Sequence, residues 1–382
     1  MTIGSITFLS LSLFYLTFTL WVRYGISRLR KLPVKPLAEL PTVSVLVPAK
    51  NEEANISRTL KSLENQSYPR SKFTVIMIND RSTDATGSIM KDFALRNDNF
   101  RLLEIRHLPS GIAPKKHALQ TAIAQAESEI IVTTDADCIH SPEWLMNMTG
   151  HFTDEVALVT ALTVFEPDDY TVFHELHSLD FLSQAVVSAG AMGAGLPLMC
   201  SAPNLAYKKK VFDEIGGYGN RSGCVSGDDN LLLQNLVKAG KYKTAFALGK
   251  DTIVRSVPPK TLKGIWHQRL RWGTQGAFYP LKIKLAGAIV FSYYLSIVLS
   301  PVFYLIGTPL QVLITMGLLK AFSDYFVISY GFRVLGIRFK TKIFFLLSLV
   351  HPLLIILTLI SSLTIPFDWK GSNLRPKVKQ AT

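Results

Sequence analysis

From Met1 to Val22 no charged side chain interrupts the apolar run, about the length of one membrane-crossing helix. At Thr42 the pattern changes to short apolar runs alternating with amphipathic stretches. Val43–Val47 and Phe73–Ile78 read as buried strands, as do Arg101–Ile105 and Glu129–Thr134. Between them, Asn51–Leu63, Ala85–Arg96 and Lys115–Ala126 read as helices, the second capped from Ser82-Thr83-Asp84. Such alternation predicts βαβ units and a parallel sheet covered on both faces. Its ligand site is expected outside the carboxyl ends of the strands.

Farther along, Val156–Phe165 reads as a strand and Phe173–Ser188 as a helix, and Leu231 follows a helix start. From Lys260 to Phe278 bulky apolar and cationic residues alternate, a pattern suited to a helix lying in the membrane interface. Leu285–Leu305, Ile306–Lys320 and Ile343–Ile365 are candidate spans, with Asp324–Arg338 a weaker one. Pro301, Pro309 and Pro352 are expected to kink them.

Composition agrees with a membrane-associated chain. Mean hydropathy is +0.25, and charged residues make up 18% of the 382. The cations Arg23, Arg28, Arg30, Lys31 and Lys35 follow the first apolar run instead of preceding it. That order favours an uncleaved anchor, with the next domain on the cytoplasmic side, over a cleaved signal peptide. One anchor and three later spans would put the tail outside, against the cytoplasmic character of Lys370, Arg375, Lys377 and Lys379. The net charge of +13 fits anionic headgroups and a diphosphate ligand, and no nucleic-acid-reading motif is present. Cys138, Cys200 and Cys224 lack metal-ligand or disulfide spacing.

Four polar clusters carry candidate chemistry. Asp135 and Asp137 flank Ala136 at a strand end, where alternate side chains face one way and two carboxylates can meet one divalent ion. Read alone, Asp137 could equally cap the turn at Ser141-Pro142-Glu143. Asp80 ends a strand and can accept hydrogen bonds from a base or ribose, or simply cap a helix. Lys115 and Lys116 open a helix, a cradle for a diphosphate or a solvated face. Asp228 and Asp229 follow Gly227 at a helix start; that segment alone favours capping, and a carboxylate base is the other reading. Gln268-Arg269-Leu270-Arg271-Trp272 combines phosphate-holding guanidinium groups with an indole able to stack on a sugar.

In this order, Val47-Pro48-Ala49-Lys50-Asn51-Glu52, Asn79-Asp80, Asp135-Ala136-Asp137, Gly227-Asp228-Asp229 and Gln268-Arg269-Leu270-Arg271-Trp272 resemble glycosyltransferase family 2. The likeness is greatest to its membrane-bound members, among them cellulose, chitin and hyaluronan synthases and ceramide glucosyltransferase. It covers roughly Val43 to Trp272. The resemblance implies a GT-A fold of the α/β class, a nucleotide-sugar donor (usually a UDP-sugar), a divalent cation (Mg2+ or Mn2+) and inversion at the anomeric carbon. It assigns Pro48, Glu52, Asp80 and Asp135 to the nucleotide, Lys115 or Lys116 to the diphosphate, and Asp137 to the metal. Gln268, Arg271 and Trp272 match the element that holds the departing diphosphate. Asp228 matches the base, which in many relatives follows a Glu; Gly227 stands there, so Asp228 and Asp229 both remain candidates. Ser201–Tyr207 and Ile215–Tyr218 resemble the acceptor-side segment.

The organisation expected is an anchor at 1–22, a linker at 23–41, a GT-A catalytic domain at 42–259 and an interfacial segment at 260–284. About three spans at 285–366 and a basic tail at 367–382 complete it. The expected function is transfer of a sugar to a lipid or lipid-linked glycan acceptor at the inner membrane, with the catalytic domain cytoplasmic. A processive polysaccharide synthase and a non-catalytic nucleotide-sugar or lipid-binding membrane protein are the alternatives.

Overall fold

A computed structural model describes residues 3–29, 39–167, 171–219, 227–369 and 372–374. The expectations for Arg30, Lys31, Lys35, the stiff linker at 32–36, Cys224 and the tail cations Lys370, Arg375, Lys377 and Lys379 lie outside the described residues.

The chain opens with α1 (Ile3–Arg28), then β1 (Val43–Ala49), α2 (Ile56–Glu64), β2 (Phe73–Asn79), α3 (Thr86–Arg96) and β3 (Phe100–Glu104). Next come α4 (Pro114–Gln125), β4 (Ile130–Thr133), β5 (Cys138–Ile139), α5 (Trp144–Thr149), β6 (Val156–Ala161), β7 (Thr163–Phe165) and α6 (Val172–Gly193). After these follow β8 (Leu205–Lys208), α7 (Lys209–Glu214), α8 (Asp228–Ala239), β9 (Lys243–Ala247), β10 (Val254–Ser256) and α9 (Leu262–Gly273). The last stretch holds α10 (Leu281–Val298), α11 (Ser300–Leu305), α12 (Leu310–Val334), α13 (Thr341–Thr364), and the hairpin strands β11 (Phe367–Trp369) and β12 (Ser372–Leu374). Contacts divide the chain into two compact units. A bundle unit combines Met1–Ser27, Asp169–Ala194 and Pro258–Thr382, and a sheet unit combines Arg28–Asp168 and Gly195–Val257.

The sheet unit is built on seven strands in the order β3-β2-β1-β4-β8-β6-β9. The four expected parallel strands pair as such, β1 between β2 and β4 with β3 outside β2. Alternation along β1 divides the core in two. Val43, Val45 and Val47 pack with Ile56, Leu60 and Leu63 of α2 and with Trp144, while Leu46 packs on the other face with Leu119, Ala122 and Ile123 of α4 and with Leu236. One strand departs from the expectation of a wholly parallel sheet. β8 runs antiparallel to both β4 and β6.

The single strand expected over Val156–Phe165 is two. β6 ends at Ala161 in the large sheet, and β7 begins at Thr163 in a small sheet of order β5-β10-β7. The break is fixed by Asn204, whose amide donates to the Leu162 carbonyl over 2.8 Å. Through that small sheet β10 comes to lie beside Cys138–Ile139, directly after the Asp135–Asp137 turn.

Among the described residues of the bundle unit, four helices are long and apolar enough to cross a membrane: Gly4–Arg28, Leu281–Val298, Leu310–Val334 and Thr341–Thr364. The breaks fall elsewhere than hydropathy alone places them. Ile306–Lys320 and Asp324–Arg338 are not separate segments, since α12 runs unbroken through Lys320 and Asp324. It can do so because these two residues neutralise each other, Lys320 Nζ lying 3.0 Å from Asp324 Oδ2 one turn away. Asp324 also accepts from the Tyr15 hydroxyl over 2.5 Å, and that hydroxyl lies 2.9 Å from the one on Tyr294. Lys320 donates in addition to Ser348 of α13. Pro301 and Pro309 start helices instead of kinking them, and only Pro352 lies inside one. Where α1 meets α6 the backbones touch: a Cβ on Gly25 would stand 1.8 Å from the Gly190 carbonyl oxygen, so no larger residue fits.

Candidate active site

The first layer of the site comes from the loops after β1 and β2. Asn51 (φ 54°) and Arg81 (φ 57°) both take left-handed backbone, uncommon for such side chains and a place where strain is held for a purpose. What holds it is visible. The Asn51 side chain accepts from the Thr83 amide (2.9 Å), the Glu52 amide donates to the Thr86 hydroxyl (2.8 Å), and the Ala85 amide donates to Glu53 (2.9 Å). Asp80 is buried beside them. Its amide donates to the Ala49 carbonyl over 2.8 Å, and its Oδ1 accepts from Arg81 Nε over 2.8 Å. Pro48 lies within β1 opposite Ile78. The N-cap of α3 is Ala85, without a side-chain cap bond, and the Thr86 amide donates to Asp84 just before it; Asp80 pairs with Arg81.

The second layer is the Asp135-Ala136-Asp137 turn after β4. Thr59 of α2 donates to the Ala136 carbonyl over 2.7 Å and pins it. Asp137 accepts from the Ser256 hydroxyl of β10 over 3.2 Å, instead of capping the turn at Ser141. Its carboxyl is pushed up to about 6 by burial first, then by the negative charges of Asp135 and Glu52. Partly buried carboxylates repelling one another are what a hard divalent cation would relieve. Among the described residues no three or more His, Cys, Asp or Glu side chains form a ready cage. The donor set therefore fits an ion held by one or two carboxylates and completed by phosphate oxygens.

The third layer binds the second to α8. Lys115, next to Pro114 at the start of α4, lies 2.7 Å from Asp135 Oδ1 and 3.2 Å from Asp228 Oδ2. Burial alone would depress its ammonium, but Asp135 and Asp228 override that and raise it. Lys116 is buried, its ammonium 6.0 Å from the centre of the Tyr218 ring and near enough to Asp228 to act on its charge. The capping role that the segment alone favours for Asp228 is not observed. Gly227 is the N-cap, with no side-chain cap bond, and the Asp228 carboxylate turns to Lys115. Gly227 itself has φ 83°, a left-handed conformation in which the Glu of many relatives would be strained.

The two neighbouring acids differ in environment. Burial would raise Asp228, yet the ammoniums of Lys115 and Lys116 hold it below the usual carboxylate range. Asp229 is pushed up to about 6, by burial and then by the charge of Asp228. It accepts from the Ala202 amide over 3.1 Å, which fixes its direction. Asn204, within the segment read as acceptor-side, is wholly internal. It accepts from the Trp144 indole (3.0 Å) and donates to the carbonyls of Leu162 and Thr252 (2.8 Å each).

Gln268, Arg271 and Trp272 lie on α9 in the bundle unit. Trp272 stacks on Phe181 of α6 with ring centres 5.6 Å apart. Within the same unit the buried guanidinium of Arg269 pairs with Asp180. Arg269, read in the sequence with Arg271 as a phosphate-holding guanidinium, is instead taken up by Asp180. Three residues with evident roles carry no sequence signal used above. Thr59 and Ser256 lie far along the chain from the turn they hold, and nothing local marks them, whereas Asp180 stands as an acid between Leu179 and Phe181.

The mixed α/β sheet with its central parallel strands has the GT-A glycosyltransferase fold, as comparison with known proteins shows. Residues 44–216 match the sequence model of Glycosyl transferase family 2, and that segment belongs to the family. The chain is 27% identical over 251 residues to the probable glycosyltransferase YdaM of Bacillus subtilis, covering 64% of this chain and 58% of that protein. It is 26% identical over 245 residues to the beta-monoglucosyldiacylglycerol synthase of a Nostoc species, covering 62% and 49%. With the glycosyltransferase AglE of Haloferax volcanii it shares 34% identity over 216 residues, covering 54% and 65%. The chain thus spans about half to two thirds of the length of these relatives. The same fold occurs in a mannosyltransferase from Pyrobaculum calidifontis, solved in complex with GDP-Man and Mn2+. The TM-score is 0.56 at 18% identity, with 94% of this chain and 97% of that one covered.

Proposed function

We propose that this protein is a membrane-anchored inverting glycosyltransferase, moving a sugar from a nucleoside diphosphate to a lipid or lipid-linked acceptor at the bilayer. The observation that carries this reading is Lys115, which joins the Asp135 turn to Asp228 in one charged cluster. The four apolar helices and the likeness to a glucosyldiacylglycerol synthase support a lipid acceptor over a soluble one. The membrane is taken to be the inner one, with the sheet unit cytoplasmic.

In this reading Asp80 and Asp135 accept hydrogen bonds from the nucleoside, with Pro48 and Glu52 lining its loop and Lys115 neutralising the diphosphate. UDP is the first donor nucleotide to try, with GDP next. A bound Mg2+ or Mn2+ at Asp137 would neutralise charge building on the leaving diphosphate. Asp229 is the base. Its raised carboxyl lies nearer to working pH than that of Asp228, whose proton affinity Lys115 suppresses. It takes the proton of the acceptor hydroxyl as that oxygen bonds to the anomeric carbon. The carbon–oxygen bond to the diphosphate breaks on the opposite side, which inverts the configuration. Gln268, Arg271 and Trp272 are assigned to gripping the diphosphate as it leaves.

Transfer assays with purified full-length protein in lipid nanodiscs test the reading. A panel of nucleotide sugars is supplied with and without Mn2+, and lipid products are resolved by chromatography. A glycolipid carrying one or two sugars supports it. Extended polymer would favour the synthase alternative, and nucleotide binding without turnover on any donor would favour the non-catalytic one.

A further inference from the structure

One face of α6 carries His177, Asp180 and Phe181, spaced so that all three look the same way. Each meets a residue of the Gln268–Trp272 motif on α9. His177 lies close to Gln268, Asp180 pairs with Arg269, and Phe181 stacks on Trp272. The central pair is almost sealed, with side-chain exposures of 2% for Asp180 and 5% for Arg269. Around it, Arg269 Nε donates to the Thr358 hydroxyl of α13 over 3.2 Å, and His351 Nε2 stands 3.4 Å from Asp180 Oδ1.

Stability alone is a poor reason for such a pair. Two sealed charges lose their hydration, and apolar residues of equal volume commonly hold helices together as well or better. What a planar guanidinium adds is a single geometry, because its fork matches a carboxylate in few orientations. Arg269 held against Asp180 fixes the rotation of α9 about its axis. Arg271, about 200° farther round the helix, is thereby turned away from α6.

We propose that Asp180 is a positioning residue for the diphosphate grip, acting through Arg269 to set the direction in which Gln268 and Arg271 are presented. This inference rests on the assignment of that motif to the diphosphate. It concerns α6, a segment that none of the nucleotide-binding motifs includes.

The test compares nucleoside diphosphate with monophosphate binding by the full-length protein in nanodiscs, using whichever of UDP/UMP and GDP/GMP the parent binds. Asp180→Asn should weaken the diphosphate by on the order of tenfold or more, as a displaced binding group does, with the monophosphate unchanged. Because one buried charge is then left alone and folding can suffer, the decisive variant is the double Asp180→Leu/Arg269→Met, which removes both. It should melt near the parent temperature and still have lost the preference for diphosphate. A double variant that recovers that preference along with its stability makes the pair merely structural and overturns the proposal. The control is Arg271→Ala. If it leaves the preference intact, the motif does not grip the diphosphate and the underlying reading fails. If it abolishes the preference while both Asp180 variants retain it, only the positioning role is refuted.

Discussion

Lys115 donates to Asp135 over 2.7 Å, so the first turn of α4 is tied to the loop that ends β4. The same ammonium reaches Asp228 at 3.2 Å, so it is shared by two acidic motifs that are far apart in sequence.

Removing that cation should therefore be costly for the ligand. Lys115→Met is expected to weaken nucleoside diphosphate binding by about 10- to 100-fold, the scale of one charge-assisted hydrogen bond. Calorimetric titration measures it. Lys116→Met, whose ammonium is buried near Tyr218, should instead lower thermal stability while diphosphate affinity changes far less.

The two adjoining acids should separate by kinetics. Asp229→Asn is expected to cut kcat by about 10²- to 10⁴-fold, as loss of a general base does, with nucleotide affinity retained. Asp228→Asn frees Lys115 from one partner and should act mainly on donor KM. A larger kcat loss in Asp228→Asn would transfer the base role to that residue.

Asp137 and Asp229, both raised to about 6, set the pH response. Their ionised forms are the useful ones, so kcat/KM should fall as pH drops through about 6. Mn2+ binding should weaken over the same range, because the cation displaces a proton from Asp137. For stability the sign is opposite to that of an ordinary ion-paired carboxylate. Between the ordinary value and 6 the folded chain holds more protons than the unfolded one, so stability falls as pH rises through that window and stays lowered above it. Asp137→Asn at pH about 8, without metal, should accordingly raise the melting temperature by a few degrees while abolishing Mn2+ binding.

Asn204 should behave as a pure framework residue. Asn204→Ala takes the partner from the Trp144 indole and one donor from each of the Leu162 and Thr252 carbonyls, the first of which keeps the Val254 amide, and is expected to destabilise by roughly 2–4 kcal/mol. Chemical denaturation checks the loss. Nucleotide affinity of the folded fraction should be unaltered.

The first half of the sheet unit could be read from the chain because each strand there is a local event. β1, β2 and β4 are largely apolar runs and β3 a shorter one carrying Arg101 and Glu104, with helices between them, and their ends were placed within a residue or two. Their motifs were legible for the same reason, since a carboxylate at a strand end announces itself. What escaped is what depends on distant partners. The reversal of β8, the split at Leu162 and the hold of Ser256 on Asp137 arise from residues a long way off in sequence. In the bundle unit hydropathy found greasy lengths but misjudged their breaks, because Lys320 and Asp324 look like a boundary until their mutual pairing is seen. Lys115 and Lys116 were indistinguishable as neighbours, and only the turn of α4 separates a ligand-side ammonium from an internal one.

The bond between Tyr15 and Asp324 joins residues 309 apart, across nearly the whole length of the polypeptide. During translation α1 leaves the ribosome long before the helices that complete its unit. Its central hydroxyl must meanwhile be hosted by water, lipid headgroups or the insertion machinery. A chain ending short of α12 would lack Asp324, so the Tyr15 hydroxyl can find this acceptor only after α12 has been made.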